Sequence, residues 1–390
     1  MAGVGTLVLA SDYNSIQTKI SGVLGAGSGT SGYNQTLTST QVGSTDPIRA
    51  THWSGLRYDI LRARQHQTGT DQSANLQNIT AGASATFTGY ISGTTLTRIT
   101  LTSGTIQRGM AVYGGSTLPG TVITGGSGTS WSLLVSGAAT SQSVGTLGAP
   151  VTFTAYLVVT DLMLAEFNNM ANDCITNALT VGAGEITTGE AFSTATRTTA
   201  WNGTLTNTVT ITFPSATAAR SYFNAGGDFR ITASRTGGTA NTKNSTWTAM
   251  ISSDTVTYPS AIGTVIMNYN TTTRSGTGTA FAIGFYGLTS TYQTIINKPA
   301  PAGVYSDNFY VIQAKCNVAS NATGGATQVI FSIEFRDLDV GDRPVPSPVP
   351  PYGPLVDESP DGTLVSAVSM GRPTGTNVSI AAPAVAATGF

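Results

Sequence analysis

The residues able to do chemistry are few, and their spacing withholds the usual arrangements. His52 and His66, the two histidines, fall in one helical pattern fourteen positions apart. A helix rises about 1.5 Å per residue, which puts them about 21 Å apart, too far to share an ion. Cys174 sits in a helical pattern and Cys316 in a strand pattern with no spacing partner, so both read as buried small hydrophobes and not as a disulfide. Asp337, Asp339 and Asp342 cluster around a glycine and invite a calcium reading. No glutamate follows where a calcium loop needs one, so they read as a solvated strand end. A glycosidase pair would have to come from Glu166, Glu185, Glu190 and Glu334, which the sequence does not bring together. Gly27, Gly29 and Gly32 spell G-x-G-x-x-G, but behind a helical pattern and with no acidic residue about twenty positions on, so the run reads as a loop. Neither a nucleophile elbow nor a P-loop occurs. No catalytic residue, cofactor or metal is assigned, and the chain is expected not to be an enzyme.

Composition narrows the partners. Of 390 residues only 9% are charged, against roughly 25% in ordinary soluble domains, and 46 glycines with abundant Thr, Ser and Asn take their place. A weakly charged polar surface of this kind points to a repetitively assembled protein more than to an isolated monomer. Eighteen basic residues face 19 acidic ones for a net charge of -1, so no basic field exists to attract nucleic acid. The one basic cluster, Arg57, Arg62 and Arg64 with His52 and His66, reads as the solvated or partner-facing side of a helix. No window reaches the roughly 18 apolar residues of a membrane span, and the first residues lack a basic leader followed by an apolar run. A soluble product made in a cytoplasm, without membrane insertion, is expected.

Three helical patterns must carry the first candidate contacts. Tyr13, Ile16, Ile20 and Val23 share one face, and the glycine-rich run from Gly25 to Gly32 ends it. From Ala50 to His66 a second face carries Trp53, Leu56, Ile60 and Ala63, with Asp59 placed to meet Arg62 or Arg57. Met163, Phe167, Met170 and Cys174 make a third stripe, flanked by Leu164, Ala171 and Ile175. Residues 1–78, continued at 152–184, are therefore expected to form one small helical layer. Trp53, Leu56, Ile60 and Phe167 are its candidate assembly contacts. Between its parts, residues 79–151 change to short apolar alternations separated by Ser-Gly, Gly-Thr and Gly-Gly pairs, the pattern of a small inserted β domain. Tyr90, Tyr113 and Trp131 could stack on sugars there, in competition with plain core packing.

Residues 185–339 read as an antiparallel β-sandwich carrying one short helix, Ala216 to Phe223. Pro214 and Ser215 open that helix, Asn224 with Gly226 and Gly227 end it, and Phe229, Ile231 and Ala233 then alternate along a strand. Further strands are expected at Thr206–Phe213, Thr246–Ser252, Thr264–Tyr269, Thr279–Tyr286, Tyr292–Asn297, Phe309–Val318 and Gln328–Asp337. Residues 340–390 read as an extended Pro-rich arm, with Pro350, Pro351 and Tyr352 as candidate assembly contacts. Its stretch Thr376–Ala386 is a candidate to add a strand to a neighbour's sheet edge. The fold class is thus mainly β.

Two resemblances rest on particular stretches. FTGYISGTTLT at Phe87–Thr97 and GTVITGGSGT at Gly120–Thr129 resemble a small β module that recurs in phage tail and surface proteins. SDYNSIQTKISGVLG at Ser11–Gly25, THWSGLRYDILRARQHQTG at Thr51–Gly69 and SATAARSYFNAGGDFRITASRTGG at Ser215–Gly238 resemble virion structural proteins of tailed bacteriophages, most of all of cyanobacterial myophages. The resemblance implies a virion component of the tail or neck, such as a fibre, collar or baseplate-associated appendage. Its implied partners are copies of itself in a trimer or higher cyclic oligomer and other virion tail or neck proteins; a host-surface glycan is the partner of the adhesin alternative. A glycan-binding adhesin and a head decoration protein are the alternatives, and no catalytic residue is carried over.

Overall fold

The computed structural model describes residues 8–44, 48–78, 83–136, 138–157, 159, 161–301, 305–318, 321, 324–338, 342–344, 355–357 and 359–390. The chain is mainly β and divides into two compact units. The first takes the chain up to Gly25 and Gln35–Ala178, the second Ala26–Asn34 and Leu179–Phe390.

In the first unit, helices α1 (Ala10–Leu24), α2 (Ala50–Thr68) and α3 (Asp161–Thr176) bury the faces their spacing predicts. Tyr13, Ile16, Ile20, Val23, Trp53, Leu56, Ile60, Ala63, Met163, Phe167 and Cys174 are all inside. Gly69 ends α2 in the left-handed region at φ 70°, its N–H on the Gln65 carbonyl.

Between α2 and α3 run β1 (Ser84–Gly93), β2 (Thr95–Gly104), β3 (Met110–Tyr113), β4 (Thr121–Ser127), β5 (Ser130–Val135), β6 (Gln142–Val144) and β7 (Val151–Leu157). Neighbours follow the order β2-β5-β4-β3-β7-β1-β6, and β2 also pairs with β1, so six of the strands close a ring. Closure leaves few free sheet edges, which helps so small a module stand. Inside it Phe87 stacks on Phe153 at 5.5 Å, with Ile91, Leu96, Met110, Ile123 and Leu133 around them. The module runs past the expected limit at 151, because β7 delivers Phe153 and Ala155 to that core and pairs with β1 from Ser84↔Tyr156 to Gly89↔Val151.

The second unit holds β8 (Ile186–Arg197), β9 (Gly203–Thr212), α4 (Ala216–Asn224), β10 (Asp228–Thr236), α5 (Thr242–Ile251), β11 (Val265–Met267), β12 (Thr272–Arg274), β13 (Thr279–Ala280), β14 (Gln293–Pro299), β15 (Phe309–Cys316), β16 (Gln328–Asp337), β17 (Asp342–Pro344), β18 (Leu355–Asp357), β19 (Thr363–Pro373) and β20 (Ala384–Ala387). They make a five-stranded sheet, β12-β11-β10-β19-β8, a six-stranded sheet, β13-β14-β15-β16-β9-β20, and the β17–β18 pair. Ser215 caps α4 by accepting the Ala218 N–H at 3.1 Å. Gly226 turns left-handed at φ 92°, whereas Gly227 is needed for space, since a Cβ there would lie 2.6 Å from the Tyr222 ring. Tyr222, Phe223, Phe229, Phe213 and Phe285 then pack ring on ring.

Three expectations for this unit are corrected. Among the described residues two α-helices are present where one was expected. Thr246–Ser252, read as a strand, lies almost wholly within α5, because Asn241 caps it through the Asn244 N–H at 2.7 Å and Trp247, Met250 and Ile251 fall at helical spacing. The expected strand Thr279–Tyr286 shortens to β13 and a 3-10 turn at Phe285–Gly287. The largest change is the arm. Leu364, Ser366, Val368 and Met370 alternate inward along β19, which lies between β10 and β8 and pairs with both. Of the stretch 376–386, Ala384–Ala386 belong to β20, which pairs with β9 of its own chain. Most of the Pro-rich run, including Pro350, Pro351 and Tyr352, lies outside the described residues.

Candidate functional site

The four helical assembly candidates have no surface to offer. Trp53, Leu56, Ile60 and Phe167 are at most 1% exposed. The Trp53 ring meets Tyr13 edge-on at 5.2 Å and Phe167 at 5.3 Å. The helical stripes therefore pack against one another within one chain, and this reading of the four residues is corrected. Asp59 does meet Arg62, at 3.9 Å, as its spacing predicts. Its closest partners lie elsewhere: it is fully buried and accepts the Thr38 and Ser39 N–H groups at 3.0 and 2.7 Å and the Ser39 hydroxyl at 2.6 Å. Arg57 goes elsewhere, to the Leu76 and Ser73 carbonyls.

The metal and nucleophile candidates are structural. His52 accepts the Arg49 N–H at 3.0 Å and His66 is buried. Burial pushes the Cys174 and Cys316 thiols up to about 12, so both stay protonated and unreactive. Among the described residues no three His, Cys, Asp or Glu side chains converge. Asp337 is no solvated strand end: it is fully buried and 2.9 Å from Lys243. Asp339 lies outside the described residues. Glu166 faces Arg108, Glu190 faces Arg372, and Glu334 faces Arg336.

A cleft of 510 Å³ opens beside Arg235, Gly237, Gly238, Thr239, Asn244 and Tyr258. Arg235 and Asp361 are tied into its walls. Arg235 donates to the Asn244 and Gly237 carbonyls and the Thr248 hydroxyl, and reaches Asp361 at 3.4 Å. Asp361 accepts the Thr239 hydroxyl and N–H, which hold its carboxyl below the usual range. This knot ties the start of α5 to the segment before β19.

An exposed aromatic pair lies on the closed β module. Met110 and Val112 of β3 and Phe153 and Ala155 of β7 point inward, so Tyr113 and Tyr156 point out, 52% and 48% exposed. Their ring centroids are 6.1 Å apart, tilted by 53°. Beside them the cross-strand pairs Tyr113↔Thr154, Thr86↔Thr154 and Thr88↔Thr152 supply a strip of hydroxyls. Aromatic faces flanked by hydroxyls can take the apolar face of a pyranose and hydrogen-bond its rim. Tyr90 points outward as well, but it sits four residues along β1 from Thr86, about 13 Å in a strand. Trp131 lies opposite Leu96, packs on the module core and donates its indole N–H to the Gly128 carbonyl at 3.3 Å. Of the three expected aromatics only Tyr113 belongs to this patch. Tyr156 was missed because β7 was read as lying outside the module, although the alternation VTFTAYL is visible in the sequence. No family model, curated protein or solved structure matches the chain.

Proposed function

We propose that the chain is a non-enzymatic structural component of a tailed-phage virion, an oligomeric tail or neck appendage built from copies of itself beside other virion proteins. The five- and six-stranded sheets are read as the two faces of a rigid sandwich. Phe229 of one meets Phe331 of the other at 6.0 Å, and Asn207 donates to Ser366 at 3.2 Å. The observation that carries the reading is the use of charge. Glu190 with Arg372, Asp228 with Arg230 and Gly371, and Asp361 with Arg235 and Thr239 all fasten strands and turns of the frame. The family reading itself rests on the resemblance of Ser11–Gly25, Thr51–Gly69 and Ser215–Gly238. Electron microscopy of particles made without the gene tests it, and virions of unchanged form and infectivity overturn it. A head decoration role predicts copy numbers near those of the major capsid protein on a stained gel of virions.

A second reading, a glycan-binding adhesin, is favoured by the Tyr113–Tyr156 pair. The full chain is expected to be retained on a surface-glycan array and its Tyr113→Ala, Tyr156→Ala variant is not. Equal retention of both refutes that site.

A further inference from the structure

Three side chains that ordinarily face water are sealed together in the second unit. Lys243, Asn308 and Asp337 are 1%, 0% and 0% exposed. Lys243 is the second residue of α5 and sends its Nζ to within 2.9 Å of an Asp337 Oδ atom. Asp337 ends β16 and Asn308 immediately precedes β15. Because Phe309 lies opposite Arg336, the next step along both chains brings Asn308 and Asp337 to facing positions. The Asn308 side chain is fixed there: its Oδ1 accepts the Leu338 N–H at 3.0 Å. The Tyr305 ring lies 5.9 Å from Nζ, and Trp247 and Tyr310 pack on Phe335 nearby.

Burying an ammonium and a carboxylate carries a large desolvation cost, which a merely structural pair recovers poorly. The same three groups, kept dry, are the parts of an acyl transfer: an amine, a carboxamide and an acid to carry protons. We infer that Lys243 and Asn308 join in an intramolecular amide bond, with Asp337 as the proton carrier. This inference is independent of the virion reading.

Each step balances. Asp337 takes a proton from the Lys243 ammonium, which leaves two neutral groups in place of two buried charges. The amine lone pair then attacks Cγ of Asn308. The carbonyl electrons move onto Oδ1, which already holds the Leu338 N–H as an oxyanion donor. The Nζ and Asp337 protons pass to the asparagine nitrogen, the Cγ–Nδ2 bond breaks, and nitrogen leaves as ammonium. One C–N bond forms and one breaks, nothing is oxidised or reduced, and Asp337 ends as the carboxylate it began as. The product ties the start of α5 to the start of β15 and would brace this end of the six-stranded sheet.

Intact mass spectrometry of the purified full chain tests the bond directly. The expected mass is that of the sequence less one ammonia. After proteolysis, tandem spectra are expected to show a branched peptide joining the Lys243 and Asn308 segments. Full mass overturns the proposal. So does loss of a water mapped to Lys243 and Asp337, and so does loss of ammonia mapped to a succinimide at another asparagine. Lys243→Arg and Asn308→Ala are expected to restore full mass, and Asp337→Asn to slow or abolish the loss. Should these variants fail to fold, the mass of the unaltered chain still distinguishes a bonded pair from an unbonded one.

Discussion

Ending the chain after Gly362 tests whether the C-terminal segment is an arm for a neighbour or part of its own domain. The cut keeps Asp361 with its Arg235 and Thr239 partners and removes β19 and everything after it. Nine register pairs with β10 and ten with β8 go with β19, so both of those strands gain bare edges. Leu364, Val368 and Met370, at most 5% exposed, leave the core. At about 1.5–3 kcal/mol for each such side chain, apolar burial worth about 4.5–9 kcal/mol disappears. A domain stabilised by about 5–15 kcal/mol does not survive that together with two opened edges. The expected result is loss of the cooperative unfolding transition of this unit in circular dichroism and urea melts, with aggregation. Leu364→Ala, which opens a cavity and breaks no pairing, should cost about 2–5 kcal/mol. A truncated chain that unfolds at the full-length urea midpoint, but no longer assembles, would refute the placement of β19 and restore the arm.

Other perturbations probe separate parts. Asp59→Ala strands the Thr38 and Ser39 N–H groups and should cost about 3 kcal/mol in urea unfolding, with little change in helix content below the transition. Gly109→Ala forces a side chain onto the Gln77 amide at a left-handed φ of 89°, and should lower stability by about 1–3 kcal/mol; adding Gln77→Ala removes the clash but leaves the backbone strain, so the double variant stays less stable than Gln77→Ala alone. Acid should loosen the second unit. Thr239 holds Asp361, and Arg372 holds Glu190, below the ordinary carboxylate range. The unfolded chain therefore binds protons first, so this stability is complete above about pH 5 and fades as pH falls below about 4 toward the depressed values. Unfolding midpoints between about pH 2 and 6 check the sign, and a midpoint that rises on acidification contradicts it. Tyr113→Ala with Tyr156→Ala should change stability by less than about 0.5–1 kcal/mol, since both rings are half in water.

Periodicity alone determined the local structure wherever one face of an element was uniformly apolar. The stripes of α1, α2 and α3, the alternation of Phe229, Ile231 and Ala233 in β10, and those of β15 and β16 were legible because their periods of about 3.6 and 2 are set within the element. Where the pattern was diluted it failed. In β19 small and polar residues separate Leu364, Val368 and Met370, and in α5 an asparagine cap competed with a threonine-rich, strand-like composition. Sequence could mark an apolar face but not what covers it, so Trp53 and Phe167 passed for contacts with a partner until their own chain closed over them. It named Tyr113 but not its neighbour Tyr156, which only the β3–β7 pairing brings alongside. The polar centres were beyond its reach altogether. Asp59 with Ser39, Asp361 with Arg235, and Lys243 with Asn308 and Asp337 come from distant segments, and their meeting is a property of strand order and helix packing, which no local period encodes.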